Sequence, residues 1–230
     1  MNTSADRLVG IQDRIRNACE RAGRDASDVC LLAVSKRFPP AMIEPVVAAG
    51  QLDLGESRQQ EAAEKVAVMS PDIRWHFIGK LQRNKARKVL EDFEVIHSVD
   101  SLKLAGHLNR IAGELGKRPK VYFEVNQAGE ERKGGFPEEE FRRVFGELMA
   151  LEHLEVLGLM TIPPQVDSAE LVRPWFAKLR NLRDQLAAEH RCSLPGLSMG
   201  MSHDFEIAVE EGSTVVRVGS AIFGQRPSEV

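Results

Sequence analysis

The chain has 230 residues, of which 43% are hydrophobic and 28% are charged, and its formal net charge is −3. This composition is ordinary for a soluble globular protein, and the charge argues against a general nucleic-acid binder. The first ten residues are polar and lack the apolar core of a signal peptide, and no apolar run approaches membrane-spanning length. The three cysteines are far apart, which indicates a reducing compartment and gives no metal-site spacing. We therefore expect a cytoplasmic protein without a membrane partner.

The first predicted element is a helix over residues 3–23, where apolar residues recur at spacings of three and four and Thr3 with Asp6 resembles a capping box. Eight apolar segments of strand length follow it. They are centred near residues 31, 53, 76, 96, 122, 157, 198 and 216. Helical patterns separate these segments, at residues 39–50, 56–68, 80–90, 101–115, from 137 onwards, 168–190 and 203–211.

Eight alternating strand and helix units without an internal linker predict an α/β fold, a single-domain (β/α)8 TIM barrel over residues 1–230. The N-terminal helix is then an addition before the first strand. An open doubly wound sheet is the structural alternative, but no G-x-G-x-x-G motif follows the first strand. In a barrel, functional side chains gather where the strands end. Polar residues of this chain fall at those ends.

Lys36 ends the first strand. Cys30, Leu32, Val34 and Lys36 share a parity, so in a barrel strand all four point to the same side. If that side is the interior, an amine lies at the mouth of an apolar tube, where it loses its proton easily and can form an imine. The alternative is a lysine that ends a strand and points into water, which is the commoner situation.

The two final loops carry a second signal. Residues 197–202 (LSMGMS) follow strand 7, and residues 217–224 (RVGSAIFG) follow strand 8. Glycines let the backbone approach a ligand closely, and serine hydroxyls with backbone N–H groups bind anions. Phosphate sites of this fold often use these two loops. The alternative is a pair of tight turns capped by serines.

Arg217 lies among three valines near the end of the last strand. A buried guanidinium is costly unless it is paired, so a partner carboxylate is one interpretation and a ligand acceptor is the other. A lysine that forms an imine, a phosphate site and a buried arginine together suggest pyridoxal 5′-phosphate (PLP). The lysine would bind the aldehyde, the loops would hold the phosphate, and the arginine would donate to the ring nitrogen.

At this point the chain resembles the pyridoxal phosphate homeostasis protein family, also called the YggS or PROSC family. The resemblance spans nearly the whole sequence. Its motifs are residues 33–36 (AVSK), 54–56 (LGE), 75–79 (WHFIG) with 81–82 and 84–85, 97–100 (HSVD), Lys133 in its Gly-rich loop, 158–163 (GLMTIP), 197–202 and 217–224.

The resemblance implies a barrel like the N-terminal domain of alanine racemase, with Lys36 as the Schiff-base lysine and Arg217 opposite the pyridine nitrogen. It also implies phosphate contacts from Ser198 or Ser202 and from Gly219 and Ser220. Met160, in the 158–163 motif, is placed among the cofactor-binding residues. Where this family usually reads Gly-Glu-Asn, the chain has Gly-Glu-Ser, so a cofactor contact from Ser57 has a shorter side chain to make it.

An arginine stays charged at any relevant pH, so it would keep the ring nitrogen unprotonated and make the ring a weak electron sink. We expect no second domain after Val230 that could supply an opposing base, and we expect Tyr122 in the core. We therefore predict a PLP carrier with little or no turnover, as the resemblance also implies, with apo PLP-dependent enzymes as possible recipients. With no strong exposed apolar stripe in the sequence, a monomer is expected.

Two enzymatic alternatives remain open. A PLP-dependent amino-acid racemase would use Lys36 and a second base such as Lys133 or His203, and an imine-forming aldolase would act on phosphosugars without a cofactor. His76 and His97 could ligate a metal, but no third ligand is placed with them, so a core role is favoured and no metal site is predicted. The basic run over residues 80–88 is interpreted as a solvated helix face, or as an attractor for an anionic cofactor or partner.

Overall fold

The structure is a computed structural model that describes residues 3–130 and 134–225. Within them, eight parallel strands close into a barrel, because each strand pairs with the next and the last pairs with the first. The strands are β1 (Cys30–Val34), β2 (Asp53–Glu56), β3 (Arg74–Phe77), β4 (Val95–Val99), β5 (Lys120–Asn126), β6 (Glu155–Met160), β7 (Gly196–Met201) and β8 (Val215–Val218). A two-residue segment, Phe136–Pro137, pairs beside the end of β5.

Helices surround this barrel, and they confirm the predicted (β/α)8 fold. They are α1 (Ser4–Arg21), α2 (Pro40–Ala48), α3 (Gln59–Val66), α4 (Ala86–Asp92), α5 (Leu102–Leu115), α6 (Glu138–Met149), α7 (Arg173–Glu189), α8 (Phe205–Glu210) and α9 (Ser220–Phe223). The predicted capping box is present at the start of α1, where Thr3 and Asp6 each accept from the other's backbone N–H. This added helix packs on α8 and α9. None of the helices in the described part of the chain is long and apolar enough to cross a membrane.

The alternation of side chains along each strand divides the buried residues into two sets. Outward-facing residues such as Leu31 and Ala33 belong to the large core between the strands and the helices. Inward-facing residues fill the barrel itself. This inner cluster contains Leu32, Val95, Tyr122, Met160 and Val215, with Cys30, Ile78 and Leu157 against it. The parity predicted for β1 is therefore correct, since Cys30 and Leu32 point inwards.

Two predicted helix starts are wrong. Glu56 belongs to the end of β2, where it pairs with Phe77 of β3, and α3 begins only at Gln59. The basic helix predicted over residues 80–90 begins at Ala86, after a 3-10 turn, Arg83–Lys85. Lys80 therefore lies in the loop that follows β3. In both places the helical pattern continued into residues that the barrel uses to line its C-terminal end.

Candidate functional site

The C-terminal ends of the strands form one open end of the barrel, which we call the mouth. Seven of the eight predicted cofactor-binding residues lie at these strand ends or in the loops that follow them, namely Lys36, Ser57, Met160, Ser202, Arg217, Gly219 and Ser220. Ser198 lies deeper, inside β7, and is fully buried. The closed topology thus brings together residues that are up to 184 positions apart in the sequence.

Lys36 lies two residues beyond the end of β1, in a turn, and is half-buried. Two neighbours hold this turn. Ser35 is fully buried and its hydroxyl donates to Glu56 Oε1 at 2.6 Å, while Arg37 has a positive φ of 67°. A non-glycine residue in the left-handed region is uncommon and persists where surrounding contacts impose it. The position of Lys36 is therefore set by the packing beneath it rather than by a flexible loop.

A buried ion pair supplies that packing. Lys65 of α3 is 3% exposed, and its Nζ donates to Glu56 Oε1 at 2.7 Å, to Glu61 Oε1 at 2.7 Å and to the carbonyl oxygen of Ser35 at 3.0 Å. Burial raises the pKa of Glu56, and the charge of Lys65 opposes that rise. Sequence reasoning missed this pair, because Lys65 reads as an ordinary surface lysine of an amphipathic helix.

Arg217 points into the barrel from β8 and is 5% exposed. Its Nη1 donates to Ser198 Oγ at 2.8 Å and its Nη2 to the carbonyl oxygen of Thr161 at 3.0 Å. No carboxylate of the described residues forms an ion pair with it; Glu124 and Asp204 act only over a longer range. Burial lowers the pKa of Arg217 to about 10, so the guanidinium stays charged near neutral pH. An arginine has five N–H donors, and these two bonds leave others for an acceptor in the mouth.

Glu124 is a second buried charge near the mouth that the sequence analysis did not identify. It lies on β5 with the inward parity of Tyr122 and is 9% exposed. Burial, followed by the charge of Asp100, raises the pKa of Glu124 to about 7. Alternation along β5 could have identified this residue, because Tyr122, Glu124 and Asn126 share one parity. A carboxyl group poised near neutral pH therefore faces the same space as Arg217.

The loops after β7 and β8 meet each other, as their predicted shared role requires. The backbone N–H of Gly219 donates to Ser202 Oγ at 3.3 Å, and Asp204 Oδ1 accepts from the N–H of Met201 at 2.6 Å. Ser220 is exposed and begins α9. Ser198 does not join them: its hydroxyl contacts Arg217 and, at 2.8 Å, His97 Nδ1. Ser198 and Ser202 are alternatives for one predicted phosphate contact, and of these two Ser202 alone lies in the loops.

Ser57 and Met160 occupy different surroundings. Ser57 is half-buried and lines a small cavity of about 170 Å³ together with Lys80 and Lys85. Gly79 packs directly on its backbone, because a Cβ at Gly79 would lie 2.1 Å from the carbonyl oxygen of Ser57. Met160 is 1% exposed and belongs to the inner cluster of the barrel. Lys133 lies outside the described residues.

His76 and His97 are buried and contact each other, with His76 Nδ1 and His97 Nε2 2.9 Å apart. Within residues 3–130 and 134–225, no group of three or more histidines, cysteines or carboxylates could hold a metal ion. Both rings point into the barrel, and His97 stacks on Tyr122 with ring centroids 4.6 Å apart. Tyr122 is thus a core aromatic of the barrel interior.

The chain resembles known proteins over most of its length. The profile of the family described as alanine racemase, N-terminal domain, matches residues 10–227. The pyridoxal phosphate homeostasis protein of Aquifex aeolicus (strain VF5) is 45% identical over 224 residues, which cover 97% of this chain and 98% of that protein. The protein of the same name from Schizosaccharomyces pombe (strain 972 / ATCC 24843) is 37% identical over 221 residues, covering 94% and 92%.

Solved structures agree with these relatives. PipY of Synechococcus elongatus PCC7942, solved with PLP bound, is 41% identical and superposes with a TM-score of 0.86, covering 96% of this chain and all of that one. An alanine racemase of Clostridium difficile 630 superposes with a TM-score of 0.74 at 19% identity, over 97% of this chain and 58% of the racemase. The second likeness shows a shared fold.

Proposed function

The chain belongs to the pyridoxal phosphate homeostasis protein family, and from that premise we propose that it binds PLP through Lys36 and carries it with little or no turnover. The observation that carries the proposal is the donor set of the mouth. A half-buried lysine follows β1, a buried guanidinium with unused donors lies on the adjacent β8, and the loops containing Ser202 and Gly219 lie at the same end. PLP has an aldehyde, a ring nitrogen and a phosphate, which are the three groups that such donors recognise.

Each group of the proposed ligand has its own assigned residues. The amine of Lys36 would hold the aldehyde, the remaining N–H groups of Arg217 would donate to the ring nitrogen, and Ser202, Gly219 and Ser220 would contact the phosphate. When bound, PLP supplies an electrophilic carbon and an electron-withdrawing ring. The protein's own contribution is orientation, since Arg217 is held by Ser198 and Thr161.

The charge of Arg217 favours a carrier over an enzyme. A guanidinium facing the ring nitrogen donates to it and leaves it unprotonated, which weakens the ring as an electron sink. A racemase also needs a second acid or base on the other face of the cofactor. Tyr122 is 4% exposed inside the barrel, and His203 is exposed in the turn before α8. No contact of the described residues favours a racemase or a cofactor-free aldolase over a carrier.

Borohydride reduction followed by peptide mass spectrometry tests the proposal. Protein incubated with PLP should give a pyridoxyl adduct on Lys36, and Lys36→Ala should lose it. Lys80→Ala is the matched control, because Lys80 is an exposed lysine in the loop after β3 at the same end of the barrel. An adduct that maps to another lysine, or that survives Lys36→Ala, contradicts the binding assignment.

A turnover assay tests the carrier role separately. Loaded protein should show no racemisation of common amino acids, and a rate above roughly 1 s⁻¹, an ordinary enzyme rate, would contradict that role. Recipient enzymes are tested by adding loaded protein to an apo PLP-dependent enzyme. If loaded protein activates the apo-enzyme faster than free PLP at the same concentration does, direct delivery is supported. Equal activation rates would exclude direct delivery.

A further inference from the structure

A continuous hydrogen-bonded chain runs through the barrel from the mouth to the opposite end. Four of its links are buried or partly buried contacts between side chains inside the strands, and a fifth reaches an arginine at the N-terminal end. The members in order are Arg217, Ser198, His97, His76, Asp53 and Arg74. We call this set the interior chain. It explains how a buried guanidinium is accommodated without a carboxylate in contact.

The far end of the interior chain is an ionised carboxylate. Asp53 accepts from Arg74 through two bonds, Nε to Oδ1 at 2.7 Å and Nη2 to Oδ2 at 2.6 Å, and its Oδ1 lies 3.2 Å from His76 Nε2. Although burial opposes ionisation, the hydrogen bonds from His76 and Arg74 hold the pKa of Asp53 below its usual value. A carboxylate only accepts, so the hydrogen at this contact must lie on His76 Nε2.

The hydrogen on His76 Nε2 determines the direction of the next hydrogen bonds in the interior chain. An imidazole with a single N–H on Nε2 has Nδ1 as an acceptor, so in the proposed order His76 Nδ1 accepts. The hydrogen between the two rings then lies on His97 Nε2, 2.9 Å away. Burial, together with the charge of Arg217, lowers the pKa of His97 well below its usual value, so the ring of His97 is neutral. Its Nδ1 must therefore accept from the hydroxyl of Ser198 at 2.8 Å.

The same direction holds for the last hydrogen bond, between Arg217 and Ser198. Because the hydroxyl hydrogen of Ser198 is directed to His97, its oxygen presents lone pairs to Arg217 Nη1 at 2.8 Å. Every donor of the interior chain between Arg217 and Asp53 then points away from the mouth. Aligned hydrogen bonds polarise one another in a low-dielectric interior, so the negative ends of these dipoles face the guanidinium.

We infer that His97 and His76 are positioning residues for Arg217, and that the carboxylate of Asp53 fixes the direction of the interior chain and thereby stabilises the guanidinium in the orientation that meets the PLP ring. The inference rests on the proposed function for its ligand, but the direction of the interior chain is a property of the protein alone. Glu124, whose pKa is raised to about 7, acts on Arg217 at the mouth. Two ionisable side chains beside the other members of the interior chain stay protonated near neutral pH. Burial raises the pKa of Cys30, beside Asp53, and of Tyr122, which stacks on His97, to about 12 in each case.

The first test uses wild-type protein without cofactor. Two-bond ¹H–¹⁵N correlation spectra of ¹⁵N-histidine-labelled protein distinguish the two neutral tautomers and the charged ring. At pH 7 both His76 and His97 should be neutral with hydrogen on Nε2. A charged His76, or hydrogen on Nδ1 of either ring, overturns the inference. This result does not depend on whether PLP binds.

The second test changes the anchor. Asp53→Asn can present an N–H to His76, so the fixed Nε2–H tautomers should be lost and the Kd for PLP should rise by about threefold to tenfold, the effect of one hydrogen bond. Asp28→Asn is the matched control, because Asp28 is an exposed carboxylate at the same end of the barrel with no contact to the interior chain. Equal behaviour of the two variants overturns the inference. Failure of wild-type protein to form the Lys36 adduct would instead overturn the proposed function and leave the tautomer result standing.

Discussion

Removing the charge of Lys65 should destabilise the protein more than almost any other change of a charged residue. Lys65→Met keeps the length of the side chain but removes three hydrogen bonds, to Glu56, to Glu61 and to the carbonyl oxygen of Ser35. Glu56 is fully buried, and its Oε2 has no hydrogen-bond partner among the described residues. The variant therefore leaves a buried carboxylate whose one cationic partner is gone.

Breaking a buried ion pair by removing one partner costs about 3 to 5 kcal/mol, because the remaining charge stays desolvated. Protonation limits this cost. Burial already raises the pKa of Glu56, and loss of Lys65 should raise it further. The variant is therefore destabilised most at pH values above the raised pKa of Glu56, where this carboxyl is ionised. The destabilisation decreases as the pH falls below that pKa. We expect Lys65→Met to lower the free energy of unfolding by about 3 to 5 kcal/mol at pH 8 and by clearly less at pH 5.

Urea denaturation at both pH values measures the free energy of unfolding directly. Glu64→Gln is the control, because Glu64 is an exposed carboxylate on the same helix, and it should change the stability by less than about 0.5 kcal/mol. The double variant Lys65→Met with Glu56→Gln removes both charges and should recover at least about 1 kcal/mol relative to the sum of the single changes. A loss below about 1 kcal/mol for Lys65→Met at pH 8, or no pH dependence, would refute the reasoning.

Three further expectations follow from the same stability measurement. The pKa of Glu124 in the folded protein is raised to about 7 from 4.5, so ionisation of this buried carboxyl destabilises the folded state as the pH rises between these values. The free energy of unfolding of the wild-type protein should fall by up to about 3 kcal/mol relative to that of Glu124→Gln over this range. A difference between the two proteins that does not change with pH would contradict this expectation. Gly106→Ala in α5, where a Cβ meets nothing within 4 Å, should stabilise the protein by about 0.5 to 1 kcal/mol. Gly79→Ala should destabilise the protein, because its Cβ would meet the carbonyl oxygen of Ser57. The opposite order of stabilities would contradict the packing described. Leu32→Ala inside the barrel should cost about 2 to 5 kcal/mol, and a loss under 1 kcal/mol would mean that the inner cluster is loosely packed.

The fold was accessible from sequence because its signal is local and repeated. Each strand is a short apolar run between helical patterns, and the parity of Leu32 and Lys36 could be read without knowing any partner. The loops after β7 and β8 were equally accessible, since serines and glycines cluster there within a few positions of Arg217. Where the pattern misled, at Glu56 and Lys80, a helix-like spacing extended across residues that the barrel needs at its mouth.

The supporting contacts were not accessible, because they join distant positions through side chains whose type is unremarkable. Nothing near Lys65 indicates that it is buried against Glu56, and the contact between His97 and Ser198 spans 101 positions. The alternation that places His76 and His97 inside the barrel was available, but the hydrogen bonds between them depend on the relative register of neighbouring strands. The sequence thus predicted which residues gather at the mouth better than which residues hold them in place.

The packing of α1 has a consequence for how the chain is made. Arg7 Nε donates to the carbonyl oxygen of Ile222 at 2.6 Å, and Arg14 pairs with Glu206 at 2.7 Å, so the first helix completes its contacts only with α8 and α9. About 180 residues separate α1 from these partners. At ordinary synthesis rates a ribosome needs roughly 10 to 40 s to deliver them. During that interval α1 can pack on α2 but not on α8 and α9, so part of its apolar face stays uncovered until the last two helices are made.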